Sequence, residues 1–413
     1  MILGNTVTGI ATVRALAECG VEVHACLFRS DDPLQYSRYA VKVPCYHLGD
    51  DPQALIDFLI GYAQKIGNRP VLIPTGDVHA LLLAKNAELL RPHYRLWNLP
   101  YAQLGRIVDK TTLYKAAEQA GAPIIPSLSM PSVAEVVEWS NQHSGPYLLK
   151  PSYDGINTCK LRSKNLLLET REQLVSYVRN HGSDSLVIQR MIRGGDGNIF
   201  DCYGLCDREG RVVTLTSHQR LRQYPPDFGA TCLGKIPAAL PSKDEQFLFA
   251  ATERLFNSVR FHGIFGIEWL RDEKTGEFYL IDFNARPFLT IGHLSDCGVN
   301  LPFLAYLDLT GQSLENVDPR PPVKRKRWVY FSKDIDTFRE VRSHGTLSLF
   351  GWLASIARCT SFAYVSFSDP LPGVHSLVTI ARRALKFAFR KSISHSTPAP
   401  AEDSSAAART LPR

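Results

Sequence analysis

The sequence predicts a parallel α/β domain followed by two α+β modules and a C-terminal extension. Three observations carry that prediction. Strands alternate with helices over the first hundred residues, which is the pattern of a doubly wound parallel sheet. A capped helix start at Asp109 then opens a β-rich region broken by glycine turns. Beyond residue 320 comes a basic segment that ends in a tail rich in Ser, Ala and Pro.

In order, residues 1–3 read as a strand stub, 4–9 as a turn and 10–19 as a helix closed by Gly20. A buried strand is expected at 21–27, a helix at 52–66 and a further strand at 71–74. Gly4 and Gly9 bracket a turn that lacks the Lys-Ser/Thr of a phosphate loop, so a tight structural turn is the favoured account. Asp109 is a good N-cap for a helix that Gly121 stops and Pro123 prevents from continuing. A helix follows at 243–257, then two strands at 265–271 and 278–283. The implied divisions are 1–105, 106–190, 191–318, an extension at 319–392 and a disordered tail at 393–413.

Composition excludes several classes. Hydrophobic residues make up 45% of the 413 and charged residues 21%, as in ordinary soluble enzymes. The net charge of +7 suits anionic ligands, but the basic residues are spread along the chain and make no case for nucleic acid. The nine cysteines contain no CxxC pair, so free thiols in a reducing cytoplasm are expected. Met1 is followed at once by the strand stub, so no secretory leader is expected. No apolar run approaches the ~20 residues that span a bilayer. Residues 377–391 form a basic amphipathic helix candidate, with Arg382, Lys386 and Arg390 recurring every four residues. Packing on the enzyme body is favoured there, with peripheral membrane contact left open. Self-association as a homodimer is also left open.

The candidate chemistry lies in the order of several motifs. Lys110 opens the second unit, and forty residues later Lys150 ends an apolar strand before a loop holding Asp154 and Gly155. A lysine at a strand end beside a glycine loop can neutralise phosphate oxygens while loop amides fold over them. Next, 186–189 is an apolar strand running into Arg190, Met191 and Ile192, with Asp196 beyond the glycines. Such an extended hinge can hold adenine by its backbone and ribose through Asp196; an ordinary buried strand accounts for it equally well. Finally, Glu268 lies on one strand and Asp282 and Asn284 on the next. Residues two apart share a strand face, so hard oxygen ligands suited to Mg²⁺ converge there. Ile267, Trp269, Ile281 and Phe283 alternate with them on the apolar face. Arg286 is placed to stabilise charge on a transferring phosphoryl group. Arg220 and Arg222 share a strand face, and could clamp a substrate carboxylate or form surface ion pairs.

Taken together, Lys110 through Arg286 resembles the ATP-grasp superfamily. Within it, the chain is similar to the D-aspartate ligase-like carboxylate–amine ligases and to carbamoyl-phosphate synthetase large chains. The resemblance implies a pre-ATP-grasp α/β domain and a two-module α+β ATP-grasp fold with ATP and Mg²⁺ between its modules. It implies a small-molecule carboxylate activated as an acyl phosphate and captured by an amine. Lys110 and Lys150 would be the phosphate lysines, 154–157 the covering loop, Gln189 to Ile192 the adenine hinge and Asp196 the ribose contact. Two departures stand out: Gln189 and Arg190 where the family often has Glu, and Asp282 where a second Glu metal ligand is common. A bicarbonate-using carboxylase and a non-catalytic nucleotide-binding protein are the competing expectations.

Overall fold

The computed structural model describes residues 1–4, 6–152, 165–192, 194–343 and 345–394, with side chains as far as 383. Four parallel strands, β1 (Ile2–Leu3), β2 (Val23–Leu27), β3 (Ala40–Pro44) and β4 (Ile73–Pro74), form an N-terminal sheet in the order β3-β2-β1-β4. The expected 52–66 helix is present as Pro52–Ile66, capped by Asp51 and stopped by left-handed Gly67. The first helix differs from expectation. It begins at Thr6 and runs to Ala17, so Gly9 belongs to its second turn. A Cβ on Gly9 would lie 2.5 Å from the Gly4 carbonyl oxygen. The two glycines therefore let the helix start close against the strand exit.

The second unit is a four-stranded antiparallel sheet of β5 (Ser127–Ser129), β6 (Tyr147–Pro151), β7 (Leu166–Leu168) and β8 (Leu186–Arg190), in the order β5-β8-β6-β7. Helices Val133–Gln142 and Arg171–His181 cover its back, each begun by a capping box, Ser132 with Glu135 and Thr170 with Gln173.

The largest sheet has seven strands. They are β9 (Ile199–Cys206), β10 (Val212–Tyr224), β11 (Ala230–Ile236), β12 (Gly263–Arg271), β13 (Phe278–Asn284), β14 (Lys326–Val329) and β15 (Ser361–Phe362). Their order is β13-β12-β9-β10-β11-β14-β15. The extension expected from 319 onward supplies the last two strands of this sheet. Helix Phe331–Ser343 also packs against β10 and β11, and the extension ties back to the N-terminal helix. There, the buried Arg14 donates through Nε to Asp369 at 3.0 Å and through Nη2 to the Tyr364 and Asp369 carbonyls.

The basic helix runs from Leu371 to Ser394. His375 packs on Tyr36 with ring centroids 4.7 Å apart, while Leu371, Val374, Leu377 and Val378 are exposed. Among the described residues no helix is long and apolar enough to cross a membrane. The described cysteines are free, and all except Cys19 are buried.

Candidate active site

A cavity of about 680 Å³ opens where the three units meet. Two lysines enter it from neighbouring elements. Asp109 caps the helix Lys110–Gln119 by accepting from the amides of Thr111 and Thr112 at 2.8 and 3.2 Å. The Lys110 amide donates to the Ser152 carbonyl at 2.8 Å, which pins the helix start to the end of β6, the strand bearing Lys150. Lys110 is buried, with Nζ 3.8 Å from Asp282 Oδ1, and both lysines line the cavity. Asp154 and Gly155 of the expected covering loop lie outside the described residues.

One end of the cavity is an apolar slot between the four- and seven-stranded sheets. Ile125, Leu148, Ile192, Ile199, Leu270 and Ile281 line it, and Gln189, Arg190 and Met191 run along its edge. Gln189 is only 1% exposed, and among the described residues neither its amide oxygen nor its amide nitrogen has a hydrogen-bond partner. A buried amide left unpaired costs about 1–3 kcal/mol, so a pair of such atoms beside a flat apolar slot suits a ligand with both a donor and an acceptor edge. Adenine meets that description.

The opposite wall carries the acids. Glu268 and Asp282 face one another directly across β12 and β13, and the Asn284 amide donates to Glu268 Oε1 at 3.3 Å. The trio shares a face as the two-residue period predicts, with one change. A bulge shifts the register so that Glu268 pairs with Asp282 and Trp269 with Leu280, leaving Ile281 as the extra residue. Ile281 consequently lines the cavity together with Asp282, while Phe283, which also touches it, packs into the core. Two carboxylates and an amide oxygen fit a hard divalent cation such as Mg²⁺, which takes one or two carboxylates and leaves its other positions to phosphates and water.

Arg220 reaches the same wall from β10. Its Nη2 lies 2.6 Å from Glu268 Oε1 and 3.0 Å from Asp201 Oδ1, and Asp201 Oδ2 lies 2.7 Å from His218 Nδ1. Burial alone would raise the Asp201 carboxyl, but Arg220 and His218 outweigh it and bring it down to about 2. Burial holds Glu268 above the usual carboxylate range, although Arg220 opposes the shift. Arg220 is thus a brace for Glu268 rather than an open clamp. Asp201→Asn should cost about 3–5 kcal/mol at neutral pH by leaving a buried guanidinium underpaired. Because the folded pKa lies below the ordinary 3.8, the Asp201 charge stabilises above that value. The difference from wild type should shrink as pH falls from 3.8 to about 2. Thermal unfolding across that range measures it.

Two of the expected site residues meet other partners. Arg222 does not face the cavity: a bulge between Arg220 and Arg222 reverses the alternation. Arg222 therefore points to the other sheet face, where Nε and Nη2 donate to Asp334 at 2.8 and 3.0 Å and Nη2 to Ser355 at 2.8 Å. Asp196 is not among the residues that line the cavity. Its carboxylate accepts from the Gln223 amide at 3.1 Å, from Gln223 Nε2 at 2.9 Å and from the Asp227 amide at 3.4 Å. It ties down the loop between β10 and β11.

Arg286 lines the cavity and forms a bidentate pair, Nε and Nη2 donating to Asp77 Oδ1 and Oδ2 at 2.9 and 2.8 Å. Asp77 opens helix Asp77–Lys85 of the N-terminal unit, and Thr6, Thr8 and Thr75 line the wall beside it. Sequence reasoning missed these four, since nothing local marks them. Asp201 did leave a signal, a lone acid within the apolar run of β9.

The cavity thus joins an apolar slot between two sheets, paired lysines and an acid wall with an arginine. Residues 109–290 match the family model described as "Carbamoyl-phosphate synthase L chain, ATP binding domain". The chain is 27% identical over 201 residues to pyruvate carboxylase 1 of Caenorhabditis elegans, covering 44% of this chain and 16% of that one. It thus spans well under half the length of the curated relatives it matches. Among solved structures it resembles the biotin carboxylase domain dimer of Hydrogenobacter thermophilus 2-oxoglutarate carboxylase with MgADP, ADP and bicarbonate. The TM-score is 0.61 at 16% identity, over 79% of this chain and 72% of that one. It also resembles the L-amino acid ligase of Bacillus licheniformis, with a TM-score of 0.58 at 17% identity over 77% and 76%.

Proposed function

We propose that the chain is an ATP-dependent carbon–nitrogen ligase that activates a carboxylate as an acyl phosphate and joins it to an amine. The observation that carries this reading is the cavity in which Lys110 and Lys150 face Glu268, Asp282, Asn284 and Arg286, with the apolar slot at one end. In this reading the base lies in the slot against Gln189 and the hinge to Ile192, and the lysines hold the phosphates. Glu268, Asp282 and Asn284 would hold Mg²⁺, which when bound offsets phosphate charge. The substrate carboxylate attacks the γ-phosphorus and the bond to ADP breaks. The amine nitrogen then attacks the acyl carbon, phosphate leaves with the C–O electron pair, and the amine gives up a proton. Arg286, oriented by Asp77, faces the charge that develops in transfer.

Release of ADP in a screen of amino acids and amines, followed by product mass, tests the proposal. ADP release with bicarbonate alone would instead favour the carboxylase reading, which the bicarbonate complex of the similar 2-oxoglutarate carboxylase domain supports. Binding of ATP with no turnover on any substrate would favour the non-catalytic reading. A homodimer, a cytoplasmic location and membrane contact through 377–391 belong to the same proposal. Buried free thiols support the second, and exposed Leu377 and Val378 beside Arg382 and Arg383 support the third.

Lys150→Met keeps the aliphatic stem and deletes the charge. A charged hydrogen bond contributes about 1.5–3 kcal/mol, so ATP affinity should fall roughly ten- to hundred-fold. Adenosine should bind both proteins alike in calorimetric titration. ATP binding as tight as wild type would place the phosphate site elsewhere.

A further inference from the structure

A second cleft, of about 490 Å³, lies where β11 meets the extension. Lys235, Arg325, Lys326, Arg327 and Arg358 line it together with the apolar turn after β11, and among the described residues no acidic side chain does. The ladder between β11 and β14 sets Lys235 directly opposite Arg327. Like charges in that relation destabilise a sheet, so the fold holds a repulsive pair in place. Burial and the facing Arg327 guanidinium keep the Lys235 ammonium below the usual lysine range. Arg358 joins from the C-cap of helix Leu349–Ala357, so the five cations come from three separate segments that converge on one concavity.

The cleft is separate from the nucleotide cavity. Thr231 lines the first and Lys235 the second, four residues further along β11. At ~3.3 Å per residue that is about 13 Å. A concentration of guanidinium forks in one pocket suits a phosphate group better than a lone carboxylate, because arginine binds phosphate oxygens in pairs. Lys326 already has the Asp296 carboxylate within electrostatic reach. The remaining four cations, with no acid among the described residues lining the cleft, call for more than one negative charge.

We propose that the cleft formed by Lys235, Arg325, Lys326, Arg327 and Arg358 is a second ligand site that takes a multiply charged phosphate group, presented by a small molecule or a lipid headgroup. Its occupant relieves the Lys235–Arg327 repulsion and fastens β14, and with it the extension, to the central sheet.

The test uses the full chain, with the nucleotide cavity saturated by magnesium and a non-hydrolysable ATP analogue. Pyrophosphate titrated by calorimetry should bind at one site per chain. Lys235→Gln with Arg327→Gln should weaken it at least about tenfold, the loss expected when charged contacts to phosphate are removed. Without phosphate, that double variant should unfold at the same temperature as wild type or higher, since it removes a repulsion. A lower midpoint would mean that the two cations serve the fold, and would overturn the site. Vesicles of phosphatidylcholine with phosphatidic acid supply the second arm. Sedimentation that the double variant loses, without pyrophosphate binding, assigns the phosphate to a lipid headgroup. Absence of both pyrophosphate and vesicle binding, or binding that the double variant leaves unchanged, overturns the proposal. Failure here leaves the ligase reading untouched, because the analogue occupies the other cavity throughout.

Discussion

Glu268→Gln combined with Asp282→Asn is expected to abolish measurable ADP release while the protein stays folded. The two carboxylates face each other across β12 and β13 and both line the cavity. Removing one group aimed at developing charge costs an enzyme about 10²–10³ in turnover, and this pair supplies the charged donors of the candidate metal set. The fold should tolerate the change for local reasons. Gln at 268 can still accept from Arg220, whose guanidinium keeps Asp201 at 3.0 Å. Burial already holds Glu268 above the usual carboxylate range, so removing its charge also removes a desolvation cost. ADP release and the thermal unfolding midpoint, measured on the same preparation, decide the matter. Turnover like that of wild type would remove the metal assignment.

Arg286→Lys should lower turnover by about 10²–10³ with little change in the affinity for ATP. Lysine keeps the charge but loses the planar fork, and that fork is what fixes Arg286 against both Asp77 oxygens at 2.9 and 2.8 Å. Asp77→Asn retains size and one acceptor, so it should lower turnover by a smaller factor through loss of orientation. The competing account is that Arg286 and Asp77 only latch the N-terminal unit to the large sheet. In that case both variants would lower the unfolding midpoint equally and leave turnover per folded molecule unchanged. Steady-state kinetics beside thermal unfolding separates the two.

The sequence by itself determined what depends on local periodicity and capping. Asp109 announces the helix that carries Lys110, because an N-cap acid bonds amides two and three residues ahead. Alternation on β12 and β13 brings Glu268, Asp282 and Asn284 to one face, because strand side chains repeat every two residues. The apolar run ending in Gln189 marks the strand at the slot edge, although the unpaired state of its amide is visible only in the packed molecule.

Only the tertiary structure decided the rest. Bulges at Leu221 and Ile281 each insert one residue into a ladder, and one residue is enough to send Arg222 to the opposite face and Ile281 into the cavity. Asp196 bonds Gln223, 27 positions away, and Arg286 bonds Asp77, 209 positions away. No local pattern encodes partners at such separations. The same holds for β14 and β15: four- and two-residue strands in a basic segment show little period, and they exist because the edge of β11 offers β14 a ladder and β14 in turn offers one to β15.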